Sequence, residues 1–107
     1  MAFQVEHIIQ PGETVIDAVA GLSSTNVRKL FVLTDRHVYV TGMKMFRQRA
    51  KDVQALLPLR EGVECRVSGR TLRVGAHDAK FGLLELEKIR RFADRVAEAH
   101  AAAQGAA

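Results

Sequence analysis

The sequence predicts a small, mainly β domain: an antiparallel sandwich or barrel of about seven strands, followed by one C-terminal helix. Three observations predict it. Two β-branched and aromatic runs, LFVLT at 30–34 and HVYVT at 37–41, flank the polar dipeptide Asp35-Arg36. Val63, Cys65 and Val67 alternate with Glu64, Arg66 and Ser68, the period of two of a half-buried strand. From Leu86 the period becomes helical. The chain of 107 residues suffices for one domain with one core, expected over about 8–100 with a flexible tail at 101–107.

Each element follows from local chemistry. Phe3, Val5, Ile8 and Ile9 read as a short apolar segment that packs on the body, and Pro11-Gly12 punctuates its end. In ETVIDAVAGL, the spacing of Val15, Ala18 and Leu22 suits a helix and the β-branched residues suit a strand, so both remain open. SSTN is a loop. The runs at 30–34 and 37–41 form a hairpin, with Asp35 expected to stabilise the turn through its own backbone two residues on. Both runs are apolar at nearly every position, so both faces of the hairpin should be covered.

Residues 43–52 break this pattern, and 53–59 return to apolar residues around Pro58. Ser68-Gly69-Arg70 then turns the chain, Leu72, Val74 and Ala76 point inward, and His77-Asp78 is expected to turn it again, with Phe81 and Leu83 inward. Leu86, Ile89, Phe92, Ala93, Val96 and His100 make one apolar stripe on a helix of about four turns. Glu87 and Arg91 support that helix at a spacing of four; Arg91 and Arg95 oppose it.

Composition excludes several classes. The hydrophobic fraction of 48% and charged fraction of 26% are those of an ordinary globular chain. No apolar run reaches the ~20 residues that span a bilayer. The N-terminus lacks the pattern of a signal peptide, and a lone Cys65 cannot form an internal disulfide, so a reducing cytoplasm is the expected location. Residues 1–27 carry no Lys or Arg. Residues 28–51 carry seven basic residues against one acidic, Asp35. That asymmetry favours an anionic partner.

Catalytic and metal motifs do not stand out. There is no HExxH, P-loop, GxSxG or CxxC pair. His7, His37, His77 and His100 are dispersed, Cys65 alternates inward as a small hydrophobe, and Ser23-Ser24-Thr25 reads as a polar loop. The expectation is a protein without enzymatic activity, cofactor, metal or small-molecule substrate.

The best functional candidate is the basic stretch after Gly42. Lys44, Arg47, Arg49 and Lys51 can meet phosphates or acidic side chains, and Phe46, if exposed, would anchor a partner as an apolar hot spot. Arg28 and Lys29 are expected neighbours. Three readings stay open: Met43, Met45 and Phe46 face the core beside a solvated rim; the stretch is a protein-contact edge; or it is a membrane-contact loop. Nucleic acid ranks last, because single-strand binding needs exposed aromatics and the aromatic fraction is 6%.

With PGETVIDAVAGL, KLFVLTDRHVYVTG and ALLPL in this order, residues 8–100 resemble the bacterial pleckstrin-homology-like (PH-like) domains. Leu33-Thr34-Asp35 matches that family's hairpin signature, while Arg36 sits one place early and His37 takes the usual Arg position. The resemblance implies two near-orthogonal antiparallel sheets capped by the helix. It also implies an interaction or self-association module, meeting an acidic protein or a second copy at a basic loop or strand edge. The alternative it implies is peripheral attraction to anionic lipid headgroups. The basic signature of phosphoinositide-binding relatives on the first hairpin is absent; only Arg28-Lys29 lies in that region.

Overall fold

The computed structural model describes residues 3–43 and 49–105. Seven strands run in the order β1 (Val15–Leu22), β2 (Arg28–Thr34), β3 (His37–Met43), β4 (Ala50–Pro58), β5 (Cys65–Ser68), β6 (Thr71–Val74) and β7 (His77–Lys80), and α1 (Leu86–Gly105) ends the chain. All neighbouring strands are antiparallel, and their spatial order is β4-β3-β2-β1-β7-β6-β5. The expected mainly β class with one C-terminal helix is the observed one. The segment whose periodicity allowed helix or strand is strand β1.

Strand alternation sorts the hairpin residues onto two cores. Phe31, Leu33, Val38 and Val40 point inward with Val19 of β1 and meet Leu72, Val74, Ala79 and Phe81 from the other half of the sheet, together with Ile89, Phe92 and Val96 of α1. The two halves therefore pack against each other, with the helix between their open margins. Leu30, Val32, Tyr39 and Met43 point outward and are covered by Val5, Phe3, Ile8 and Ile9. Both faces of the β2–β3 hairpin are buried, as its unbroken apolar runs require. His7 Nε2 lies 2.8 Å from the Ala50 carbonyl and helps hold the covering segment down.

The two halves are joined at one register pair, Leu22 with Lys80. Gly21 makes the crossing feasible: a Cβ there would lie 2.8 Å from both the Lys80 carbonyl oxygen and the Phe81 ring.

Three details differ from the sequence reading. The β6–β7 turn is Gly75-Ala76, and His77 and Asp78 already belong to β7. Gly75 adopts φ +58°, as does Gly69 in the β5–β6 turn. Glycine as the first residue of a two-residue hairpin loop is the placement such turns favour, and it overrides the polar His-Asp cue. Ala76 is consequently exposed. Leu83 is exposed as well, at 72%, because the chain leaves the sheet at Gly82 and makes a single 3-10 turn, Leu83–Glu85. Finally, the alanine-rich tail is helical through Gly105. Alanine has the best helix propensity, and the last turns are tethered: His100 Nδ1 donates to the Leu59 carbonyl at 2.6 Å and Gln104 Nε2 to the Arg60 carbonyl at 2.7 Å.

Ile89, Phe92 and Val96 are the buried stripe of α1, each side chain contributing about 1.5–3 kcal/mol by leaving water. Phe92→Ala is expected to destabilise the protein by ~3–5 kcal/mol in denaturant unfolding. An unchanged midpoint would contradict a helix packed into the core.

Candidate binding surface

The frame that carries the surface is set by one carboxylate. Pro11-Gly12 closes a turn in which Glu13 N–H donates to the Gln10 carbonyl at 3.2 Å. This turn inserts the Glu13 side chain, none of which is exposed, beneath the β2–β3 hairpin. There it accepts from Tyr39 OH at 2.5 Å, from His37 Nδ1 at 2.9 Å, from the Gln10 backbone N–H at 3.1 Å and from Thr34 Oγ1. Because the carboxylate accepts, His37 carries its proton on Nδ1. Burial pushes the Glu13 carboxyl up, but the hydrogen bonds from Thr34, Tyr39 and His37 outweigh it and hold the group below its ordinary 4.5. Burial and the Glu13 carboxylate push the Tyr39 phenol up to about 12.

The hairpin turn is also capped differently from the sequence expectation. Thr34 Oγ1 accepts the Arg36 and His37 N–H groups at 3.2 and 3.0 Å. Asp35 instead extends the β1–β2 ladder by one rung: its Oδ1 accepts Thr14 N–H at 2.9 Å, and its own N–H donates to the Thr14 carbonyl at 3.1 Å. The short PGET and LTD motifs are thus two halves of one polar lock.

The basic residues singled out from the sequence do not share one face. Lys44, Phe46 and Arg47 lie outside the described residues. Lys29 stands opposite Gly42 in the β2–β3 register. The Lys51 hydrocarbon fills the space beside Gly42, its Cβ 3.6 Å from where a glycine Cβ would stand. Lys29 and Lys51 therefore flank Gly42 on the inner face. The Lys29 ammonium donates to His77 Nδ1 at 3.1 Å. Burial and the Lys29 charge lower the His77 pKa, against an opposing pull from Asp78, so His77 accepts as the neutral ring. Arg28, the next residue, points the other way and lines a hollow with Phe3, Val5 and Glu6. Arg49 is tied to the N-terminal segment by a bridge to Gln4 and by Nη1 at 3.4 Å from Gln4 Oε1.

The free edge of β4 lies beside Lys51. β4 is the terminal strand of the sheet; the N-terminal segment covers only its start, where Gln4 bridges Arg49 and accepts the Ala50 N–H and His7 meets the Ala50 carbonyl. Its register slips between Val40 and Thr41, so that Val53 faces Thr41 and Leu56 faces Tyr39. The extra residue, Gln54, puts Val53 and Leu56 on the same outer face, each 41% exposed. Alternation alone would have put them on opposite faces, which is why the sequence did not reveal this strip.

Cys65 is half-buried against the inner core, and burial pushes its thiol up to about 11, so it is a neutral thiol at physiological pH. Among the described residues no three His, Cys, Asp or Glu side chains gather at metal-binding distance, and no helix is long and apolar enough to cross a membrane. No protein-family model matches the chain, and no curated protein matches it significantly.

The lock makes stability depend on pH at both ends. Glu13 has a lowered folded pKa, so its contribution is full above 4.5 and is lost as pH falls through the lower folded value. Tyr39 has a raised one, so its contribution is full below 10 and is lost as pH rises toward about 12. Glu13→Gln is expected to cost about 1–3 kcal/mol at neutral pH and to flatten the acid limb, read from urea midpoints across pH. An acid limb as steep in the variant as in the wild type would remove Glu13 as its source.

Proposed function

We propose that the protein is a non-enzymatic, cytoplasmic PH-like module that associates with protein through the free edge of β4, a second copy being its simplest partner. The observation that carries this reading is the edge itself. A nine-residue strand presents unpaired backbone groups together with Val53 and Leu56 on one face. Exposed edges of this length are normally blunted by charge, proline or a covering element, because they template pairing with another chain. Here Lys51, Asp52 and Pro58 guard only the two ends, and the middle is open. Two β4 strands related by a two-fold axis run antiparallel, which lets Val53 of each copy approach Leu56 of the other. The basic residues at the start of the strand would steer an acidic partner and set the salt dependence of encounter.

Sedimentation velocity over a range of protein concentrations tests this. The wild type is expected to shift from monomer to dimer, and Val53→Lys/Leu56→Lys to stay monomeric with an unchanged circular dichroism spectrum. Dimers that persist in the double variant would move the contact away from β4.

A second reading has its own observation. Lys29 and Lys51 flank Gly42, with the Lys29 ammonium at His77, a cationic corner suited to an anionic headgroup. Co-sedimentation with neutral and anionic vesicles, at low and physiological salt, decides it. Binding to anionic vesicles that survives physiological salt and disappears in Lys29→Ala/Lys51→Ala would establish the corner as a lipid contact. Binding that salt abolishes, or that the variant retains, would leave only generic attraction.

A further inference from the structure

Gly42 leaves a niche on the inner face of the sheet. The atoms nearest to where a Cβ would stand are Gln54 Nε2 at 3.5 Å and Lys51 Cβ and Cδ at 3.6 and 3.7 Å. Lys29 stands opposite Gly42 in the register, and its ammonium reaches His77 Nδ1 at 3.1 Å. Polar side chains from β2, β4 and β7 thus border one corner. Lys29, Lys51 and Gln54 all offer N–H donors, and both lysines are cations. His77 is the exception, because its Nδ1 is an acceptor. Few charges act on that ring. Lys29 comes from β2, and Asp78, exposed, is its neighbour on β7. β6 sets Val74 opposite His77, and β3 contributes only Gly42. On β4, Lys51 and Asp52 are both exposed. Burial and the Lys29 charge keep the imidazole neutral against the pull of Asp78.

We propose, resting on the reading of this corner as an anion contact, that it binds a phosphomonoester dianion and that His77 takes up one proton as the anion binds. The ligand class follows from the donors. Lysines offer point charges rather than a planar fork, which suits the spread oxygens of a phosphate more than a flat carboxylate. The proton follows from the one acceptor. In the free protein the Lys29 ammonium donates to a neutral ring. A bound dianion draws that ammonium onto its own oxygens, which frees His77 Nδ1, and its charge favours the imidazolium. Solvent supplies the proton, and no covalent bond to the anion forms or breaks. His77 then turns from acceptor to donor, so every polar side chain at the corner presents N–H groups to the ligand. The sign of the pH dependence is fixed by this exchange. The anion prefers the protonated ring, so affinity rises as pH falls through the pKa of His77 in the complex and levels off below its lowered value in the free protein.

The test uses the full chain and sulfate, a dianion whose own charge stays fixed over the range where histidine titrates. The imidazole resonances of His77, assigned by their absence in His77→Gln, are followed by NMR across pH in sulfate and in chloride of equal ionic strength. Sulfate is expected to raise the His77 midpoint and to leave those of His7, His37 and His100 in place. Sulfate affinity is expected to rise with falling pH by up to about tenfold per pH unit, the limit for a single linked proton. His77→Gln, whose amide oxygen still accepts from Lys29, is expected to bind sulfate with no such slope. Equal His77 midpoints in the two salts, or an unchanged slope in His77→Gln, would overturn the proposal and leave the corner a plain cationic contact. Sulfate binding retained by Lys29→Ala/Lys51→Ala would remove the corner itself. Two further arms separate the sources of the ligand: methyl phosphate in solution, and vesicles of phosphatidylcholine with and without phosphatidic acid. Both arms are expected to weaken in Lys29→Ala/Lys51→Ala. Tighter binding to the phosphatidic acid vesicles assigns a lipid headgroup, and equal or tighter binding to methyl phosphate assigns a soluble phosphomonoester.

Discussion

The structure depends on a carboxylate that is buried and fully employed. Glu13 leaves water entirely, and four donors from the preceding turn, the end of β2 and the start of β3 compensate it. Removing an ion from water is costly, so the arrangement is stable only when every donor is in place. That requirement couples three separate pieces of chain. The turn at Pro11-Gly12 must present Glu13, the hairpin must place Thr34, and β3 must direct His37 and Tyr39 toward it. A fold built around such a lock has little tolerance for a shifted register, because a slip of one residue in β3 would point Tyr39 to the opposite face.

From this fixed end the rest of the barrel follows by alternation. The β2–β3 hairpin is apolar on both faces because it is covered twice, by the N-terminal segment outside and by β5–β7 with α1 inside. The halves of the sheet touch through one strand pair, where a glycine admits the close approach. The helix therefore does more than cap. Ile89, Phe92 and Val96 fill the space the two halves leave, and its last turns reach back to the 3-10 turn after β4.

The same incompleteness creates the surfaces. A sheet that closes through only one pair leaves the side of β1 away from β2 without a strand partner for most of its length among the described residues, and α1 packs over that gap. Arg91 and Arg95 show how context changes a local rule. Four residues apart on a helix, they repel. In the folded protein both approach Asp17 across the gap, and the pair becomes one half of a bridge. At the other side of the sheet, one extra residue in β4 turns two apolar side chains to the same face and makes an edge strand adhesive.

What the amino-acid sequence determined by itself is everything carried by short-range periodicity and turn chemistry. The hairpin around Asp35-Arg36, the half-buried strands from Cys65 onward, the helix stripe through Phe92 and the covering role of Phe3 and Val5 are legible because each depends on neighbours within a few residues. What only the tertiary structure decided are the pairings across long stretches of chain. Glu13 meets its side-chain partners 21 to 26 residues away, and Asp17 meets arginines on the last element. Lys29 turns to His77 while Arg28, its neighbour, turns to the opposite side. Local sequence sets which face of a strand or helix is apolar. The surfaces that could bind a partner arise where distant elements meet imperfectly, and that misfit is a property of the assembled sheet and helix.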